Sequence, residues 1–521
     1  MSRTKRFASS LGSGYLAMAA NAIYSAASIP LALHYLTREE FGLWAVVTQI
    51  GGYLTLLDFG VGQSVSRILV DYKDDMNGGD YGSVLKTAWI AFGFQAVGIL
   101  LTGAFGGNLL ADLLQIPSNL RSGFQILLFL QCAVLAGHFA MTPLWFPLWT
   151  HQRSDIVNYA SIGIFVASGI ALWIGFAAGL RYYSLVLASL AGTLVQDGIT
   201  TISTIKLGLL PARGKWGRIT KAKFWEIFSF SRDLFILQVG NQLISASQIV
   251  LVSRLMGLDA AAVWSICTKS FALAQQIVVK IFDFSTPGFS EMLVRGEILR
   301  FKERFPAVLN LTAVGAGLFG VLGALGNRTL ISYWTQGKIS WDFWTDVCAG
   351  AYLFVWCITH CYAGFPGLLK QIKGYKYLIL LEGGCVVFGS ILFAPAFGFP
   401  GMFVPAIVGN LFCSGLYGAY RVSQHFSMSV FDVTLGWTGR ALLYVVVFAL
   451  CGSAIFWLGA GFAGLPAFLT KAASAGTFGI VLALMAGVTP EMRSELRAFA
   501  HGLIGKRRHR AARAETPLSL K

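Results

Sequence analysis

Apolar runs long enough to cross a bilayer recur along the whole of this sequence. A spanning helix needs about 20 mostly apolar residues, and windows of that size give about fourteen candidates. They fall at roughly 11–36, 43–68, 86–110, 124–149, 156–178, 184–206, 229–256, 261–285, 306–331, 347–369, 377–397, 400–420, 440–460 and 466–488. Backbone groups cannot go unsatisfied in hydrocarbon, so only helices or a closed barrel can span, and runs this long specify helices. Composition agrees: 55% apolar against 12% charged residues, at a mean hydropathy of +0.65, excludes an ordinary soluble domain. The expected fold class is an all-α polytopic membrane protein with about fourteen transmembrane helices.

The first run follows "MSRTKR" and passes "SAAS" at 25–28, the outline of a secretory signal. It is too long for a signal core and leads by a tight "TREEFG" into the next run, so it reads as a span. Orientation follows from Lys and Arg in the short loops. The 207–228 connection and its approach carry Lys206, Arg213, Lys215, Arg218, Lys221 and Lys223; 286–305 carries Arg295, Arg300, Lys302 and Arg304; Lys370, Lys373 and Lys376 mark a third basic loop. All three follow an even-numbered span, as does the basic tail, and both termini are therefore expected to be cytoplasmic. The net charge of +16 is accordingly topology rather than a nucleic-acid surface, and the tail suits anionic lipid headgroups.

The eight cysteines sit almost entirely in apolar segments, where a buried free thiol is the default. "CITHC" at 357–361 has the residue types of a metal site but lies inside a span and reads as packing. H-E-x-x-H, C-x-x-C and P-loop patterns are missing from the sequence, and no connection exceeds about 25 residues, too short for a folded extramembrane catalytic domain. No cofactor is expected.

Shifted by 220 residues, the chain repeats: "NAIYSAASIPLALHYLTREEFGLWAVVT" (21–48) lies on "NQLISASQIVLVSRLMGLDAAAVWSICT" (241–268). Asn21, Ser25, Trp44 and Thr48 meet Asn241, Ser245, Trp264 and Thr268, polar and aromatic matches that two merely apolar helices need not share. A weaker echo sets "FPLWTHQ" (146–152) against "FPGLLKQ" (365–371). A repeat of six spans keeps both copies in one orientation, which predicts two six-helix lobes related by a pseudo-twofold axis along the membrane normal, with a site between them. The expected organisation is an N-lobe over 1–206, a basic cytoplasmic linker over 207–228, a C-lobe over 229–425, two additional spans within 426–488 and a basic cytoplasmic tail over 489–521.

The order "PLALHYLTREEFGLWAVV…LLDFGVGQSVSR" resembles the opening of the polysaccharide-biosynthesis, O-antigen-flippase branch of the multidrug/oligosaccharidyl-lipid/polysaccharide exporter superfamily. The matching residues are Pro30, Glu39-Glu40-Phe41-Gly42, Asp58-Phe59-Gly60 and Arg67; "LWTHQRSDIVN" (148–158) and "STPGFSEMLVRGE" (285–297) are similar to further landmarks. The resemblance covers about residues 10–425. It implies a twelve-helix core of two lobes working by alternating access, two further C-terminal helices, and an undecaprenyl-diphosphate-linked glycan as substrate in a bacterial cytoplasmic (inner) membrane. Glycosyltransferases or a glycan polymerase are implied as partners, and coupling to H+ or Na+ is left open.

Intramembrane ionisable residues are costly and mark pathways. At 100° per residue, Ser265, Lys269, Gln276, Lys280 and Asp283 fall within about 80° of arc on the eighth span. Lys269 lies mid-span, too deep to snorkel. Gln49, its repeat partner, shares a face with Tyr53, Gln63 and Arg67. The first and seventh spans offer Asn21, Ser25 and Ser28, then Asn241, Ser245 and Gln248. Four polar faces would thus line a common cationic cavity, where Lys269, Lys280 and Arg67 receive a pyrophosphate.

Each residue has a plainer role. Lys280 and Asp283 are spaced to pair with each other, and Arg67 to anchor at the cytoplasmic interface. Asp58, among Gly51, Gly52, Gly60 and Gly62, reads chiefly as an acceptor for locally opened backbone, with pairing to Arg67 or a gating or coupling role as alternatives. Arg232 and Asp233 open the seventh span as an interfacial pair or gate, while His34, His138 and His360 read as packed. Three functions remain: flipping a lipid-linked glycan, cation-coupled multidrug export, and glycan polymerisation or ligation. Drug export would favour buried carboxylates over the basic charges read here, and the third lacks an outer catalytic loop.

Overall fold

The computed structural model describes residues 3–151, 153–369, 374–458, 464–489 and 492–493. It is 87% helix, with no strand among the described residues. Among the described residues, thirteen helical segments are long and apolar enough to cross a membrane, and each coincides with one of the expected spans. The expectation at 43–68 is the exception: that stretch is divided among Arg38–Leu54, a 3-10 turn at Thr55–Asp58 and Val61–Tyr72, none of which is long enough to span. Lys370 and Lys373 of the third basic loop lie outside the described residues, as does the tail of 489–521 except Thr489, Met492 and Arg493.

The broken stretch shows how its sequence dictates its shape. Thr37 caps the helix Arg38–Leu54, its Oγ1 accepting from Glu40 N at 3.2 Å while Glu40 Oε2 accepts from Thr37 N at 2.9 Å. This reciprocal box satisfies two donors that a helix start leaves open. Glu40 is only 3% exposed, and its other carboxylate oxygen pairs with Arg181, in the turn before the helix Tyr183–Lys206. The helix stops at Leu54, tightens into the 3-10 turn Thr55–Asp58, then passes through left-handed Phe59 (φ 50°) and Gly60 (φ 74°) before resuming as Val61–Tyr72. Glycine is required at 60 twice over: a Cβ there would meet a strained dihedral, and would lie 2.8 Å from Ser231 O.

Helix boundaries follow the 220-residue repeat. Arg38 and Leu258, equivalent in that alignment, each begin a helix, after Thr37 in one copy and Gly257 (φ 90°) in the other. These two helices, Arg38–Leu54 and Leu258–Cys267, pack on each other. Gly42 sits so tightly on the Leu258 carbonyl that a Cβ would overlap it, and Arg38 lies 3.7 Å from Asp259.

The chain forms two compact units. The first comprises Met1–Lys269, Leu330–Trp341 and Lys376–Gly409; the second Ser270–Thr329, Asp342–Tyr375 and Asn410–Lys521. Each gathers segments from distant parts of the sequence. In the first unit the basic 207–228 segment is not a free linker. Lys86 Nζ donates to Gly217 O at 3.0 Å, Ser83 Oγ to Arg218 O at 2.6 Å, and Trp216 lies 5.6 Å from Trp89. The second unit has an aromatic core in which Phe301 stacks on Phe305 at 5.4 Å and Phe289, Phe365 and Phe426 surround them. Its last two spans, Asp432–Leu458 and Leu465–Gly487, pack on the helix Ile298–Trp334 through Tyr444 and Phe448, against Val314 and Val321. Tyr444 Oη donates to Gly479 O at 3.1 Å, tying the two together.

Gly42→Ala forces a methyl against the Leu258 carbonyl. It is expected to destabilise the protein by about 1–3 kcal/mol, as overpacking does, read as a lowered thermal midpoint in detergent, whereas Gly51→Ala, which faces open space, shifts it by less.

Candidate functional site

A break in a membrane helix frees backbone groups that need partners. At the Thr55–Gly60 joint they are supplied locally. Asp58 Oδ1 accepts from Gly62 N at 2.9 Å, and Gln95 Nε2, from the next span, donates to Asp58 O at 3.3 Å. Ser64 Oγ donates to Gly60 O at 3.0 Å and is itself reached by Ser231 Oγ at 2.8 Å. The expectation that Asp58 serves opened backbone matches this geometry. The alternative pairing with Arg67 does not, because Arg67 Nη1 bonds Asp71 Oδ1 at 2.8 Å, one turn further along its own helix.

Two adjoining cavities lie against this joint in the first unit. One, of about 390 Å³, is lined by Thr55, Asp58, His138 and Thr142 together with Gln238, Asn241 and Gln242. The other, of about 600 Å³, shares Asp58, Gly62, Thr142 and Gln238 and adds Arg67, Trp145 and Trp149. Gly52 makes room for polar groups nearby, since a Cβ there would stand 3.0 Å from Gln242 Nε2 and 3.2 Å from Gln49 Nε2. Of the residues expected to line a polar cavity, Asn241 does so here and Gln49 is close by; Asp58, expected chiefly as a backbone acceptor, lines both cavities as well. Ser25 Oγ reaches only Asn21 Oδ1, at 3.5 Å, and Ser245 Oγ donates back to Asn241 O at 2.8 Å, within their own helices. Gln248 is half-buried; Gln63's side chain lies outside the described residues.

The three expected cations are differently placed. Arg67 lines the larger cavity and is committed to Asp71. Lys280 Nζ bonds Asp283 Oδ2 at 3.3 Å in the second unit, and Asp283 Oδ1 is also 3.2 Å from His360 Nε2. His360 stacks on Trp356 at 5.1 Å. Gln276 is exposed on the same helix, Lys269–Val294. Lys269, the first residue of that helix, is exposed and makes no ion pair or hydrogen bond among the described residues. It stands 11 residues into the apolar span Leu258–Leu293, about 16 Å along it at 1.5 Å per residue. Arg232 is exposed, and the Asp233 side chain lies outside the described residues.

Two histidines expected merely to pack are engaged with carboxylates. His360 meets Asp283 as described, and His138 Nδ1 lies 3.0 Å from Oδ1 of Asp197, a buried residue of the sixth span. Sequence reasoning passed over Asp197, together with Asp346 and Glu382, which are 0% and 1% exposed. Each is a lone acid inside an apolar run, the signal that singled out Lys269. Buried ionisable residues among those described are thus mainly acidic, Glu40, Asp197, Asp346 and Glu382 against Lys376, a correction to the basic interior expected from sequence. His34 is exposed and edges onto Tyr35 at 4.9 Å.

Asp58→Asn keeps an acceptor for Gly62 N, whereas Asp58→Ala removes it. The alanine variant is expected to lose about 0.5–2 kcal/mol in thermal unfolding, the usual value of a side-chain cap, and the asparagine variant much less. Equal losses would show that the charge, not the cap, stabilises the joint.

Comparison with known proteins places this geometry. No curated protein matches the chain. Among solved structures it is similar to the lipid II flippase MurJ in an inward closed conformation, at 13% identity and TM-score 0.59 over 92% of this chain and 98% of that one. It is similar to an inward-facing multidrug resistance MATE family transporter of the MOP superfamily, at 13% identity and TM-score 0.59 over 78% and 95%. It also resembles a MOP superfamily transporter from Pyrococcus furiosus, at 11% identity and TM-score 0.56 over 80% and 96%. At such identities the likeness establishes the fold alone, that of a multi-pass membrane protein. The family described as polysaccharide biosynthesis protein matches residues 9–293, more than half the sequence, and the chain belongs to that family.

Proposed function

We propose that this protein flips a lipid-linked oligosaccharide or polysaccharide precursor, carried on undecaprenyl diphosphate, from the inner to the outer leaflet of a bacterial cytoplasmic membrane. It does so by alternating access and without making or breaking a covalent bond, with both termini in the cytoplasm. Family membership supports the glycan, and the similarity to a lipid II flippase supports a lipid-linked substrate.

One observation carries the mechanism. Lys269 is an ammonium inside an apolar span with no partner among the described residues, while Arg67 and Lys280 already hold carboxylates. An unpaired charge facing lipid is prohibitively costly, so an exposed one belongs on a water-filled path. There it attracts a diphosphate strongly, because Coulomb energies grow as the dielectric falls. Lys269 therefore takes the anionic head while the prenyl tail stays in lipid; Lys280 and Arg67 join it only by giving up Asp283 and Asp71. The head's two phosphates and the carrier's membrane anchorage set the route, and glycosyltransferases or a polymerase would act before and after the flip.

A second reading, cation-coupled export of drugs, has its own observation: the carboxylates Asp58 and Asp197 stand at or behind the walls of a cavity in the first unit. The same carboxylates would equally serve H+ or Na+ coupling of glycan transport.

Leaflet translocation of a fluorescent undecaprenyl-diphosphate oligosaccharide in proteoliposomes separates these readings. Wild type is expected to flip it, Lys269→Ala to lose about tenfold or more in rate, the equivalent of one charge-assisted contact, and Lys269→Arg to retain most of it. Equal rates in all three would remove Lys269 from the site. Movement of small cationic dyes without any lipid flipping would establish the exporter instead.

A further inference from the structure

The two cavities at the Asp58 joint are built unlike a phosphate site. The smaller contains no Lys or Arg: Asp58 and the carboxamides of Gln238, Asn241 and Gln242 supply its polarity, and the His138 imidazole lies against Asp197. The larger has one basic residue, Arg67, already bonded to Asp71. A diphosphate entering here would face a carboxylate in a low-dielectric wall with no uncommitted cation to offset the repulsion.

A neutral polyol meets the opposite situation. A pyranose presents apolar C–H faces and hydroxyls that both donate and accept. The larger cavity offers it two indole surfaces, Trp145 and the 51% exposed Trp149. Trp145 edges onto His138 at 5.2 Å and so connects the two cavities. On the polar side, Gln238 Oε1 and Trp145 Nε1 are an acceptor and a donor with no partner among the described residues, and Asp58 keeps one carboxylate oxygen beyond the one bonded to Gly62. Buried polar groups left unpaired are costly, which favours a ligand able to pair with both kinds. Volumes of about 390 and 600 Å³ fall in the range of small-molecule sites.

We infer that these adjoining cavities are a glycan subsite, in which Trp149 and Trp145 stack on sugar rings and Asp58, Gln238 and Asn241 hydrogen-bond their hydroxyls, separate from the cationic contact at Lys269. The inference rests on the flippase reading and divides the substrate between two kinds of chemistry. Sugar identity is read at the tryptophan cavities, and the carrier's diphosphate, common to many substrates, at Lys269.

The test measures binding to the full-length protein in nanodiscs with three probes: lipid-linked oligosaccharide extracted from the source membranes, the free oligosaccharide released from it by mild acid, and undecaprenyl diphosphate without sugar. Wild type is expected to bind all three. Trp149→Ala should weaken the free oligosaccharide by about tenfold, as loss of one stacked ring does, and leave undecaprenyl diphosphate unchanged, while Trp149→Phe recovers most of the loss. Lys269→Ala should show the converse pattern. If Trp149→Ala binds the free oligosaccharide as wild type does, or weakens all three probes together as a lost interfacial anchor would, the subsite is wrong. If wild type binds undecaprenyl diphosphate but never the free oligosaccharide, the subsite falls and the flippase reading stands; if it binds none of the three, both fall.

Discussion

Every peptide group in a bilayer must be hydrogen-bonded from within the protein, and the second span of this chain breaks that rule's simplest solution between Thr55 and Gly60. Irregular backbone at membrane depth survives only where protein or a polar cavity covers it. Here Asp58, Gln95 and the Ser64–Ser231 pair do so, drawing polar side chains from the second, third and seventh spans to one place. The cavities follow from that requirement. Of the residues that repair the break, Asp58 also lines the cavities, beside the hydroxyls of Thr55 and Thr142 and the carboxamides of Gln238, Asn241 and Gln242.

Close packing at the other end of the same helix complements the open joint. Glu40 closes the capping box and holds Arg181, and Gly42 lets the two repeat-related helices touch backbone to backbone at Leu258. The second span thus carries a tight, glycine-dependent contact near its start and a loose, polar joint near its middle. Such a distribution suits a transporter, in which one region must hold while another exchanges partners.

Much of this architecture was legible in the sequence because lipid imposes a simple rule on length and polarity. Thirteen of the expected spans coincide with helical segments long enough to cross a membrane among the described residues, and Arg38 and Leu258, aligned by the 220-residue repeat, each begin a helix. Hydropathy alone could not show that 43–68 is interrupted, although Asp58 among four glycines was the clue. Lys280 and Asp283 pair as their i, i+3 spacing allows. Other partners join residues far apart in sequence, so no local pattern reveals them: His138 with Asp197, His360 with Asp283, and Glu40 with Arg181. The cationic cavity was read from helix faces, which give direction but not commitment. Only Lys269 of its three cations has no carboxylate partner among the described residues, and the acids at 197, 346 and 382 stand in apolar runs, where no neighbouring basic residue marks them in the sequence.

The central claim is that a lipid-linked glycan is the cargo, and it is tested most directly in the cell of origin. After depletion of this protein, lipid-linked oligosaccharides would be quantified separately in the two leaflets of the cytoplasmic membrane. The account predicts accumulation of complete units on the cytoplasmic side, with fewer outside and less surface polysaccharide. Unchanged pools in both leaflets, accompanied by retention of small cationic compounds in the cell, would contradict it.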